Sequence, residues 1–238
     1  GTSGLLHGQM YPEGIMERRI LEADRAGLQL AVHAIGDRAN SLLLDLYEKA
    51  VAANGPRDRR WRVEHAQHLR PADIARFGRL GLVAAVQPYH AIDDGRWAEG
   101  KIGPERVRTT YAFESLRRAG ARLAFGSDWT VAPLDPVLGI YAAVTRQDRD
   151  GRPEGGWYPD QRMTVEEALR GFTSDAAFAS FMEDSKGIIQ PGMLADLTIL
   201  DVDPYSAAPR EILSARVTGT VVGGVVQYEA SATPGGRP

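Results

Sequence analysis

Cysteine is absent from the 238 residues. That excludes a disulfide framework and any cysteine-ligated zinc or iron–sulfur centre. Lysine is scarce, confined to Lys49, Lys101 and Lys186, so the basic charge is carried almost wholly by arginine. Charge of one sign is also lacking: the net charge is −3, which gives no broad attraction to nucleic acid or to an anionic membrane. No apolar run approaches the ~18 residues of a transmembrane helix. Residue 1 is Gly, and neither a basic segment nor an apolar one follows it as a signal peptide would require. A soluble, cytoplasmic chain is therefore expected. Gly1 to Gly4 reads as a loop, and the stretch from Ser231 as a polar tail. No Walker A loop, no Gly-x-Gly-x-x-Gly fingerprint and no Gly-x-Ser-x-Gly elbow occurs, which leaves nucleotide binding and serine hydrolysis without a basis.

What is present is an alternation of helix and strand signals. A helical stretch after Pro12 carries Ile15, Met16, Ile20 and Ala23 on one face and stops at Gly27. Residues 28–33 read as a short buried strand. A helix capped by Asp37 follows, with Ala39, Leu42, Leu43, Leu46, Tyr47, Ala50 and Val51 at helical spacing, ended by Asn54-Gly55-Pro56. Further strands are expected over 61–65, 81–87 and 122–126, and further helices over 71–80 and 105–119. A long polar connection is expected over 88–104. Asp135-Pro136 is a cap followed by proline at the first helical position. Thr164 and Glu167 form a capping box for a helix to about Phe181. Such alternation predicts right-handed βα units and a parallel sheet. From Gly187 to Glu229 the texture changes to short strands around a Gly223-Gly224 turn, the pattern of a small antiparallel unit.

Ionisable residues fall at strand ends. His33 closes the first strand and His65 the second, and Asp128 lies just past the fourth. In parallel α/β barrels the chemistry sits at the C-terminal strand ends. The separations of 32 and 63 residues suit one and two βα units. Two imidazoles and a carboxylate at one mouth would suit a divalent metal. The competing reading, hydrogen-bonded strand-end residues with no ligand role, is equally open on spacing alone. His90 is divided between a substrate lid and an ordinary loop position. His68 and His7 read as structural. Glu64, opposite to His65 in a strand of period two, is expected to face the helix layer and pair with Arg62.

Val32-His33-Ala34-Ile35-Gly36-Asp37-Arg38-Ala39, Arg62-Val63-Glu64-His65-Ala66-Gln67 and Phe125-Gly126-Ser127-Asp128-Trp129 together resemble the amidohydrolase superfamily, in the branch of the N-substituted formamide deformylases. The run Lys186-Gly187-Ile188-Ile189-Gln190-Pro191-Gly192-Met193-Leu194-Ala195-Asp196-Leu197 is similar to that superfamily's return from its barrel to a small β-sandwich. The resemblance implies a (β/α)8 barrel in which His33 and His65 match the fifth- and sixth-strand metal ligands. Asp128 matches the eighth-strand Asp that binds metal and acts as general base. It also implies zinc or a similar divalent cofactor, one or two ions in the full-length enzyme. The implied reaction is hydrolysis of a non-peptide C–N bond in a small amide or formamide, with His90 and Trp129 shaping the substrate pocket. A deaminase, a cyclic-amide or ester hydrolase, or a non-catalytic barrel remnant are the alternatives. No nucleic-acid or membrane partner is expected, and a homo-oligomer is compatible with the composition.

Two features of the superfamily are missing. No His-x-His pair occurs, and none of the three lysines ends an expected strand. The expectation is therefore the C-terminal half of a barrel, strands five to eight, over residues 1–182. Part of a small β-sandwich and a tail would follow over 183–238. Such a piece would leave Leu30, Val63 and Val86 without the opposing strands that cover an inner face, and would be prone to self-association.

Overall fold

The computed structural model describes residues 12–231. The loop at Gly1 to Gly4, His7 and the tail after Ser231 lie outside the described residues. A parallel sheet is formed by β1 (Ala31–Ala34), β2 (Arg62–His65), β3 (Val83–Val86) and β4 (Arg122–Phe125), in that order. Helices α1 (Ile15–Arg25), α2 (Asp37–Asn54), α3 (Pro71–Arg79) and α6 (Phe113–Arg118) lead into or connect the strands. The register aligns His33 with Glu64, Ala34 with His65, and Val86 with Phe125.

Strands β3 and β4 are covered on both faces, β3 being buried along its whole length and β4 from Leu123 to Phe125, whereas β1 and β2 are fully buried only at Ala34 and Val63. Val63, Ala84, Val86, Leu123 and Phe125 join Leu43, Leu44, Tyr47, Phe77 and Leu116 in one core under the helices. Val63 and Val86 are fully buried there and Leu30, partly buried, packs against the same core, which corrects the expectation that these three would lie uncovered on an inner face. With Val63 on the helix side, period two puts Arg62 and Glu64 on the other face. They do form a pair, at 2.9 Å, but not on the helix side. The opposite face is small and polar, and its lower part is closed by Phe178 and Ala179 against Val83 and Ala124.

Two expected helices divide. Over 105–119 a short 3-10 turn at Arg106–Thr109 is separated from α6. Thr110 there forms a bridge with His68, and Tyr111 N–H donates to the Gln67 carbonyl at 2.8 Å. Pairing with the chain after β2 outweighs local helix propensity. After α7 (Pro136–Thr145), the run from Thr164 gives α8 (Val165–Phe172) and α9 (Ser174–Ala179), broken at Thr173 (φ −125°, ψ −92°). Both expected caps are made. Asp135 accepts from Val137 N–H at 2.9 Å, and Thr164 and Glu167 form the reciprocal box.

The connection over 88–104 is helical, not a polar loop: α4 (Pro88–Asp94) and α5 (Ala98–Ile102). Proline opens α4, where a missing N–H costs nothing. A second sheet, antiparallel in the order β5 (Leu197–Leu200), β6 (Val217–Val222), β7 (Val225–Glu229), turns at Gly223 and Gly224, both at positive φ. A helix not foreseen, α10 (Pro209–Ser214), lies between β5 and β6 and sends Ile212 into the main core.

The packing of α3 on α6 sets a first prediction. A Cβ on Gly78 would fall 1.7 Å from the Ala119 carbonyl oxygen. In an open helix Gly→Ala stabilises by about 1 kcal/mol. Here Gly78→Ala is expected to destabilise the full-length protein by about 1–3 kcal/mol through overpacking, read from the urea midpoint. A raised midpoint would show that the two helices separate freely.

Candidate functional site

Each functional side chain stands at the C-terminal edge of the parallel sheet. His33 is the third residue of β1 and His65 the last of β2. Gln87 follows β3 directly and leads into α4, whose first turn carries His90 over the strand ends. Asp128 follows β4 by three residues.

The chain is bent sharply where it presents these groups. His65 (φ 73°), Ala66 (φ 42°) and Asp128 (φ 59°) all occupy the left-handed region, uncommon for residues with a side chain and often a mark of functional sites. His65 is thereby turned out of the strict strand alternation, which is why the period-two argument for Glu64 failed. Local hydrogen bonds hold the bends. The Asp128 carbonyl accepts from Val131 N–H at 2.8 Å. Buried Asn40 points its amide nitrogen at the carbonyls of Ala34 and His68, both at 3.1 Å, and of Gly36 at 3.0 Å. It thus joins the chain after β1 to the chain after β2.

The side chains converge. One ligand atom each of His65, His90 and Asp128 lies within 4.8 Å of the other two, all three residues being half-buried. His90 Nε2 is 3.2 Å from Asp128 Oδ2. The His33 ring meets the His65 ring edge-on, with centroids 4.3 Å apart. The structure thus brings His65 and Asp128 together, adds His90 from α4, and sets His33 beside His65 but outside the tight trio.

Gln87, which sequence reasoning missed, decides how His65 is presented. Its Nε2 donates to the Ala85 carbonyl at 3.3 Å, which turns Oε1 toward His65 Nδ1 at 2.8 Å. His65 therefore donates from Nδ1 and keeps the lone pair on Nε2, the outer hydrogen bond that typically orients a ligating imidazole. The only available signal was a polar residue at the end of an apolar strand. His68 is engaged elsewhere, its Nδ1 2.9 Å from Thr110 Oγ1, and burial holds its imidazole below the usual value. Trp129, Val131 and Leu134, on the segment after Asp128, are exposed apolar side chains (65%, 77% and 64%). Two imidazoles and a carboxylate with ligand atoms this close are the donor chemistry of a zinc-type site, so the residues present fit a divalent metal.

Parallel βα units with a His/Asp cluster at the strand ends define an α/β fold whose sheet edge gathers side chains that could hold a metal ion. A sequence profile described as the amidohydrolase family matches residues 4–228, and the chain belongs to that family. It is 45% identical over 209 residues to Protein LONG AFTER FAR-RED 3 of Arabidopsis thaliana, covering 87% of this chain and 35% of that one. It is 33% identical to putative amidohydrolase YtcJ of Bacillus subtilis (94% and 42% covered). It is 31% identical to the N-substituted formamide deformylase of Arthrobacter pascens (92% and 40% covered). A crystal structure of an uncharacterized metal-dependent hydrolase from Pyrococcus horikoshii is similar at TM-score 0.70 and 33% identity, over 82% of this chain and 38% of that one. The chain spans less than half the length of these relatives. Among the described residues no helix is long and apolar enough to cross a membrane.

Proposed function

We propose that the protein, in full-length form, is a metal-dependent hydrolase of non-peptide C–N bonds, acting on amides and first of all on N-substituted formamides. The observation that carries this reading is the convergence of His65, His90 and Asp128 at the strand ends. In this reading residues 1–182 supply strands five to eight of a barrel, and 183–238 belong to a small β-sandwich unit and tail. His65, His90 and Asp128 are the first donors to a divalent ion, zinc being the expected one. His33, in ring contact with His65, is the further imidazole of a site for one or two ions.

When bound, such an ion supplies Lewis acidity, bringing the pKa of a water toward ~7 and polarising the substrate carbonyl. The remaining work falls to the chain. Asp128 Oδ2 faces His90, leaving Oδ1 to accept the proton of the attacking water. The same carboxyl then returns the proton to the leaving nitrogen. Gln87 keeps His65 in one tautomer throughout. Trp129, Val131 and Leu134 receive an apolar N-substituent, so N-benzyl formamides should outperform N-carboxyalkyl ones.

The test is formate release from N-benzylformamide by the full-length protein. Activity is expected to disappear with chelator and return with Zn²⁺. Full activity in chelator would overturn the reading. A second expectation concerns the donors. His65→Ala, His90→Ala and His33→Ala should each lower bound zinc measured by elemental analysis, the first two most. Wild-type zinc content in His90→Ala would remove it from the donor set.

A further inference from the structure

We propose that the Asp94 carboxylate is a positioning group of the site: it locks the turn that presents His65 to the helix that presents His90. The inference rests on the reading above and concerns a residue that touches neither imidazole.

Asp94 is the last residue of α4, one helical turn beyond His90. Its Oδ2 accepts two hydrogen bonds, from Gln67 Nε2 at 2.8 Å and from the Tyr111 hydroxyl at 2.5 Å. Gln67 stands two residues after His65, in the same left-handed turn, and is itself buried. One oxygen therefore ties the His65 turn to the His90 helix. The tie is braced from behind. Tyr111 is buried, and its N–H donates to the Gln67 carbonyl at 2.8 Å, closing a ring of three residues. Burial first, then Asp94, pushes the Tyr111 hydroxyl pKa up, so it remains a donor.

The second brace is Arg146, fully buried, with Nη1 on the Tyr111 carbonyl at 3.0 Å and Nε on the Trp157 carbonyl at 2.6 Å. Trp157 in turn lies on α4's end. A Cβ on Gly95 would be 3.0 Å from the Trp157 ring. The C-terminal end of α4 is thus gripped by Tyr111 at Asp94 and by Trp157 at Gly95, and a single buried guanidinium holds both. Such a frame matters more to a metal site than to the fold. Donor atoms must be held to about 0.5 Å for tight coordination, and α4 has only seven residues with which to define its own position.

The experiment measures Zn²⁺ affinity of the full-length protein by chelator competition, with the Co²⁺ visible spectrum as a geometric readout. Tyr111→Phe removes only the hydroxyl, and Asp94→Ala removes the acceptor. Each is expected to weaken Zn²⁺ about 10–100-fold, the usual effect of losing an outer partner, and to shift the Co²⁺ bands. The double variant should lose no more than Asp94→Ala alone, because both remove one network. Ser115→Ala, which deletes a Gln161 contact at 2.8 Å elsewhere, should lower thermal stability without moving either readout. If Asp94→Ala fails to give a native near-UV spectrum, Tyr111→Phe carries the test. Wild-type Zn²⁺ affinity and Co²⁺ bands in Tyr111→Phe would overturn the inference, whatever its stability. Absence of Zn²⁺ binding by the wild-type protein would instead overturn the hydrolase reading beneath it.

Discussion

Asp128→Asn in the full-length protein is expected to lower turnover of an N-substituted formamide by about 10²–10⁴-fold, the usual worth of a positioned general base. The substitution keeps shape and hydrogen-bonding size. The amide oxygen can occupy the place of Oδ2, which is 3.2 Å from His90 Nε2 in the wild type, so the pocket need not rearrange. What is lost is the only carboxylate of the compact cluster, and with it the proton acceptor. The left-handed backbone at this residue (φ 59°) tolerates Asn as well as Asp, which removes refolding strain as a competing cause. Part of the fall would come from weaker metal retention, so turnover is compared per bound zinc. A per-zinc rate within a fewfold of wild type would place the base elsewhere.

The parallel sheet was legible because short strand-like runs alternate with helical stripes, and polar residues stand at or just past the strand ends. His33, His65 and Asp128 mark three of the four strands in that way. Less legible was which face each residue takes. The positive φ at His65 cancels the alternation, and nothing in Arg62-Val63-Glu64-His65 announces it. His90 was visible as a histidine in a polar stretch, but its place in the cluster depends on α4. That helix could have been read from Pro88 at its start and Gly95 after its end, yet its sequence has too few apolar residues to show a stripe. Asn40, Gln87 and Asp94 were invisible for a different reason. Their partners are backbone carbonyls or side chains from other units, and contacts of that kind leave no periodic trace. The split of the 105–119 helix has the same origin, since the segment after β2 competes for its backbone.

The largest stability effect is expected at Asp24, far from the site. It lies in the last turn of α1, where the helix dipole disfavours a carboxylate, and its side chain is wholly buried. It persists because the chain from α2 to β2 wraps it in donors. Arg59 binds it through Nε at 2.9 Å and Nη2 at 3.0 Å, Asn54 Nδ2 at 2.8 Å, and Arg57 pairs with the same carboxylate. Burial alone would push the Asp24 carboxyl up, but Arg59, Asn54 and Arg57 together hold it below the usual carboxylate value. Asp24→Asn leaves Arg59, nearly as buried, without a counter-charge. The expected cost is about 3–5 kcal/mol, as for a buried pair broken on one side, read from the urea midpoint at neutral pH. The sign of the pH dependence follows from the lowered pKa. The native state holds the ionised form more tightly than the unfolded chain does. The ion pair therefore contributes fully above the unfolded value of ~3.9 and is lost as pH falls through the lower native value. The gap between wild type and Asp24→Asn should be constant from neutral pH down to about 5 and shrink below it. A gap that stays constant through the acid range would mean that the loss comes from packing and not from charge.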